Sequence, residues 1–72
     1  MDEFIVTNGH LPTVEEIKAA RAEAGLTQED ASKLLYVSYE TWKTWEANRE
    51  SRRSVQMSAI AWELFLNKRF MG

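Results

Sequence analysis

The side chains able to do chemistry are few, and their scarcity narrows the field. There is one histidine, His10, and no cysteine, so neither a thiolate metal site nor a multi-imidazole one can be built. No glycine-rich phosphate loop is present, and no nucleophile is paired with a base, so an enzyme is not expected. No metal, cofactor or small-molecule ligand is expected either. What remains is a concentration of hydrogen-bonding and charged side chains between positions 38 and 53: Ser38, Tyr39, Glu40, Thr41, Lys43, Thr44, Arg49, Arg52 and Arg53. The net charge of −2 argues mildly against a nucleic-acid partner. The average hides an asymmetry, because residues 1–36 carry seven acids against three bases and residues 37–72 six bases against four acids. An anionic partner should therefore meet the C-terminal half.

The elements that must position these groups are those of one small domain. The chain has 72 residues, 44% hydrophobic and 28% charged, a balance that is globular rather than disordered. Its apolar runs are too short to span a membrane. The acidic Met1-Asp2-Glu3 start does not fit a secretory signal, and the expected compartment is the reducing cytoplasm. With no disulfide or metal to staple so small a core, a second copy of the chain is the expected support.

Residues 1–12 lack helical period. Phe4-Ile5-Val6-Thr7 followed by the turn signal Asn8-Gly9 reads as an extended arm. The domain proper is expected over 13–72, all-α, with four to five helices. Thr13 and Glu16 form a capping box ahead of Val14, Ile17, Ala20, Arg21 and Ala24, and Gly25 should close that helix in the left-handed conformation. Thr27 caps a second helix carrying Ala31, Leu34 and Leu35. Ser38 caps a third that should end near Asn48 in the left-handed conformation. Ser58 caps a last helix, Ala59 to about Arg69. That helix reads as two apolar stripes, Ile60, Leu64 and Phe65 on one and Trp62, Leu66 and Phe70 on the other. One small core can shelter only one of them. Trp62, Leu66 and Phe70 are therefore expected at a dimer interface, although core packing and an exposed ring are both open to Trp62.

The stretch from Arg21 through Gly25-Leu26-Thr27-Gln28, Leu35, Val37-Ser38, Thr41 and Trp45-Glu46 resembles the helix-turn-helix of Cro- and CI-type phage repressors, the XRE family, over roughly residues 14–49. Trp62-Glu63-Leu64-Phe65 is similar to the closing helix of small phage and prophage regulators, some of them anti-CRISPR-associated repressors. The sequence departs from the pattern at Ala31, at Ser32, at Tyr36 where a turn glycine is usual, and at Asn48. The resemblance implies a lambda-repressor-like fold in which the third helix enters the major groove. Ser38, Tyr39, Glu40, Lys43 and Thr44 would then read bases, and Gln28, Thr41, Arg49, Arg52 and Arg53 would hold the DNA backbone. Arg21 and Glu46 match the family's structural ion pair. Trp42 and Trp45, three residues apart, point to the core rather than to stacked bases. Glu40 admits two readings, a base acceptor or a favourable charge at a helix N-terminus. Arg52 and Arg53 likewise admit a solvated loop.

The expected function is a sequence-specific transcriptional regulator, a homodimeric and autoregulatory repressor on an inverted-repeat operator in double-stranded DNA. The alternative is a protein-interaction module of antitoxin or antirepressor type, using the acidic N-terminal half as its contact surface.

Overall fold

Four hydroxyl side chains start the four helices of the computed structural model, which describes residues 4–71; the acidic Met1–Glu3 stretch and Gly72 lie outside them. The helices are α1 (Val14–Glu23), α2 (Gln28–Leu34), α3 (Tyr39–Glu46) and α4 (Ala59–Lys68), and no strand occurs among the described residues. The class is all-α. Thr13, Thr27, Ser38 and Ser58 each adopt extended backbone and accept a hydrogen bond from the backbone N–H three residues on. At α1 the capping box is complete, since Glu16 also accepts from the Thr13 N–H at 2.8 Å. Each cap satisfies a donor that the helix itself cannot.

The first two helices end alike. After α1, Gly25 takes φ +68°, and the N–H groups of Gly25 and Leu26 donate to the carbonyls of Ala22 and Arg21. After α2 the same pair of bonds runs from Tyr36 and Val37 to Lys33 and Ser32, with Tyr36 at φ +57°. Both are Schellman ends, but the second forces a tyrosine into a conformation that costs an L side chain roughly 1–2 kcal/mol. A glycine is therefore not required at the α2–α3 turn, and the geometry is unchanged without it.

α3 ends differently from expectation. Its last residue is Glu46, and Ala47 is already extended (φ −72°, ψ 148°). Asn48 is not left-handed; its side-chain Oδ1 instead accepts from the Glu50 N–H at 2.8 Å. Asparagine can close a turn through its own side chain as readily as it can adopt left-handed backbone, and here the first option prevails. The chain then turns twice, from Asn48 to Ser51 and from Ser51 to Ser54, and the Val55 N–H returns to the Thr44 carbonyl at 3.0 Å.

The core gathers Ile17, Ala20, Ala31, Leu35, Trp42, Trp45, Met57, Trp62 and Phe65. Trp42 is its centre, edge-on to Trp45 at 5.4 Å and to Phe65 at 4.9 Å between ring centroids. Ser32, buried, donates to the Glu29 carbonyl at 2.6 Å, so its hydroxyl is satisfied where a larger side chain would crowd the neighbouring elements.

The two stripes expected on α4 are regrouped. Trp62 is 5% exposed and packs in the core with Phe65, while Leu66 lies partly buried against it. Trp62 is thus not an interface residue. Positions 62, 65 and 66 form one face at three- and four-residue spacing, whereas 60, 64 and 67 fall opposite. Ile60 (81% exposed) and Leu64 (38%) therefore join Phe70 and Met71 on the outside.

Residues 4–7 run beside that outer face. Asn67 offers its amide to the backbone of Ile5, accepting from its N–H and donating to its carbonyl at 3.0 Å. Glu63 accepts from the Thr7 N–H at 2.8 Å and from its hydroxyl at 3.2 Å. Asn8 and Gly9, at φ +55° and +81°, then form a tight turn closed by the His10 N–H on the Thr7 carbonyl. At the other end of α4, Lys68 Nζ donates to the Leu34 carbonyl at 2.8 Å and Arg69 Nη1 to the Ala20 carbonyl at 2.8 Å. These cations therefore complete the ends of α2 and α1.

Candidate nucleic-acid interface

The outward face of α3 is built from the inside. Trp42, Trp45 and Glu46 are buried, and helical spacing then turns Tyr39, Glu40, Lys43 and Thr44 away from the core. Ser38, Tyr39 and Glu40 are exposed, with Lys43 and Thr44 half-buried. The five residues expected to read bases do therefore share one surface. Lys43 Nζ pairs with Glu40 Oε2 at 2.9 Å and lies 4.5 Å above the centre of the Tyr39 ring. The hydrogen bond to Glu40 holds the Lys43 ammonium above the ordinary lysine value. The Thr44 hydroxyl donates to the Thr41 carbonyl at 2.6 Å.

Beside this face lies a shallow concavity of about 230 Å³ lined by Glu40, Lys43, Thr44, Ala47, Ser51 and Arg53. The turns at 48–54 bring Arg53 next to α3, and Arg52 is exposed in the same turn. Ser51 was not foreseen as a member, because only the turn geometry brings it there.

The other residues expected on the backbone are placed differently. Arg49 is exposed but its guanidinium is engaged by the protein itself, donating to Ser54 Oγ (3.2 Å), the Val55 carbonyl (3.4 Å) and the Pro12 carbonyl (3.2 Å). Gln56 Nε2 reaches the same Pro12 carbonyl at 2.9 Å. Arg49 thus ties the 48–55 segment to the start of α1. Thr41 is half-buried and its hydroxyl accepts from Ser38 Oγ at 2.9 Å. Gln28 Nε2 donates to Glu46 Oε1 at 3.0 Å.

That last contact belongs to the polar cluster beneath the interface. Arg21 meets Glu46 with two parallel bonds, Nε to Oε2 at 2.7 Å and Nη2 to Oε1 at 3.0 Å, and its Nη1 reaches the Leu26 carbonyl at 3.0 Å. The indole N–H of buried Trp42 also donates to Glu46 Oε2. Burial pushes the Glu46 carboxyl up, but the hydrogen bonds from Arg21, Trp42 and Gln28 outweigh it and hold the group below the ordinary carboxylate value. The ion pair expected from sequence is present and joins α1 to α3, and the Gln28 bond adds α2. The pair's two members are 25 residues apart along the chain.

Among the described residues no cluster of three or more histidine, aspartate or glutamate side chains could hold a metal ion. No helix is long and apolar enough to cross a membrane. No family model, curated protein or solved structure matches this chain.

Proposed function

We propose that this chain is a sequence-specific DNA-binding regulator, a repressor acting as a homodimer, in which α2 and α3 serve as a helix-turn-helix. The observation that carries this reading is the outer face of α3. Two tryptophans anchor its inner side, five hydrogen-bonding side chains occupy its outer side, and Arg52 and Arg53 stand at its edge. An α-helix of this width fits the major groove, where polar side chains near its N-terminus meet base edges and flanking cations meet phosphate. Arg49 belongs to the scaffold in this reading. The tight Arg21–Glu46–Gln28 cluster supports it too, because it fixes α3 against α1 and α2 and so presets the reading surface.

A single module this small makes few base contacts, so two copies on an inverted repeat are proposed. The contact surface is the outer side of α4, Ile60, Leu64, Phe70 and Met71 with Phe4 and Ile5, and not the buried Trp62. Much of it borders a groove of about 570 Å³. The same groove favours the second reading, a module that binds another protein.

Selection from a randomised duplex library, followed by anisotropy titrations across salt, tests the proposal. An enriched inverted repeat whose affinity falls steeply with salt is expected. Binding of every duplex with equal, negligible affinity would refute it.

A further inference from the structure

The Lys43–Glu40 pair is an unusual thing to find on a surface offered to DNA. Glu40 is 80% exposed and Lys43 42% at the side-chain level, and an ion pair that open contributes little to the fold. A bare carboxylate facing phosphates would oppose binding. Here the carboxylate is covered by an ammonium at 2.9 Å, and the ammonium is steadied over the Tyr39 ring at 4.5 Å. The pair presents a donor and an acceptor side by side. Lys43 Nζ keeps two further N–H groups, and Glu40 Oε2 keeps a second lone pair.

We infer that Lys43 and Glu40 act as one unit that reads the major-groove edge of a single G·C pair, Lys43 donating to guanine and Glu40 accepting from cytosine. The inference rests on the DNA-binding reading above and names the ligand of that surface. The match is one of spacing and polarity. In a G·C pair the guanine O6 and the cytosine N4 are themselves hydrogen-bonded, so they lie about 2.9 Å apart. That is the separation of the Lys43 and Glu40 atoms. The ammonium can meet O6 and the neighbouring N7, both acceptors, while the carboxylate meets the N4 amino group. A T·A pair offers an acceptor beside a donor as well, at O4 and N6. There, however, the 5-methyl group of thymine takes the place of the second acceptor, and the ammonium loses a partner. Reading by the pair as a unit avoids two costs: the carboxylate never faces DNA uncompensated, and two flexible side chains are ordered before binding.

The test uses the full chain and the duplex that selection enriches, with each base pair of the site replaced in turn by the other three. Wild type, Glu40→Gln, Lys43→Met and the double variant are compared by anisotropy, with circular dichroism confirming equal helix content. The wild type is expected to prefer G·C at one position per half-site by about tenfold. Each single variant should bring that preference to within about threefold at that same position, and the double variant should be no worse than the poorer single one. The unit is refuted if the two variants relax different positions, or if the preferred pair there is A·T. It is also refuted if Lys43→Met weakens all duplexes by one factor with the preference intact, which would make Lys43 a phosphate contact. If selection enriches no duplex, the DNA-binding reading itself falls and this inference falls with it.

Discussion

Removing Glu46 should injure the fold more than removing Arg21, although the two form one ion pair. Glu46 accepts four bonds, two from Arg21 and one each from Trp42 and Gln28. Glu46→Ala strands the indole N–H of fully buried Trp42, at roughly 1–3 kcal/mol for an unpaired buried donor, and leaves the Arg21 guanidinium without its counter-charge. Arg21 is 22% exposed and Gln28 half-buried, so water can replace part of what they lose. A total of about 3–5 kcal/mol is expected, as for other broken buried pairs. Arg21→Ala leaves Glu46 accepting from Trp42 and Gln28, and about 2–3 kcal/mol is expected at neutral pH. The double variant should cost less than the sum of the two by at least about 1 kcal/mol. For 72 residues the whole stability is about 4–11 kcal/mol, so urea unfolding resolves all four proteins, provided Glu46→Ala still folds. The pH dependence separates them further. In the wild type the Glu46 carboxyl is held low, so its contribution is present above the unfolded value near 4.3 and fades as pH falls through the folded value. Without Arg21 burial dominates, the folded value rises, and the charged form becomes the costly one. The stability gap between wild type and Arg21→Ala should therefore narrow as pH falls below about 5. Additivity within about 0.3 kcal/mol, or a gap that widens in acid, would refute the cluster as the tie between α1 and α3.

The outer face of α4 gives a second test: Leu64→Glu should yield a folded monomer with sharply weaker operator binding, whereas Trp62→Glu should unfold the chain, as sedimentation and circular dichroism together will report. A monomeric wild type at tens of micromolar, within the range of weak association, would refute the dimer. Arg52→Ala and Arg53→Ala should each flatten the salt dependence of DNA binding by roughly one unit, whereas Arg49→Ala should leave the slope alone and lower thermal stability. Tyr36→Gly should raise stability by up to about 1 kcal/mol, the relief of left-handed strain being offset by glycine's greater freedom when unfolded and by loss of the Lys68 contact to the ring at 4.8 Å; a loss of stability on urea unfolding would refute this.

The helices were legible because their signals are local. Thr13, Thr27, Ser38 and Ser58 announce the starts, and Gly25 one of the ends, in residues that touch their own neighbours. The inward turn of Trp42 and Trp45 followed from three-residue spacing in the same way. The α4 faces were harder, since that helix is apolar nearly all round and spacing alone could not say which of Trp62 and Ile60 the core would take; the bulk of Trp62 beside Phe65 decided it. The scaffold contacts of Arg49 and the burial of Met57 were not legible, for a different reason. Their partners are Pro12 and the core, brought close only by the turns at 48–54, and no pattern along the chain records such a meeting. The pairing of Lys43 with Glu40 lay within reach, being three residues apart on one helix.

The clip between Ile5 and Asn67 spans 62 residues, and that span sets an order of events. A ribosome makes the chain from its amino end, so Phe4-Ile5-Val6 is synthesised well before its resting place on α4. The ends of α1 and α2 wait for Lys68 and Arg69 in the same way. Until α4 is made, these residues are thus an unattached apolar thread, open to chaperones and to other nascent chains. Only when the fourth helix clears the exit tunnel can the thread be laid down and the domain close.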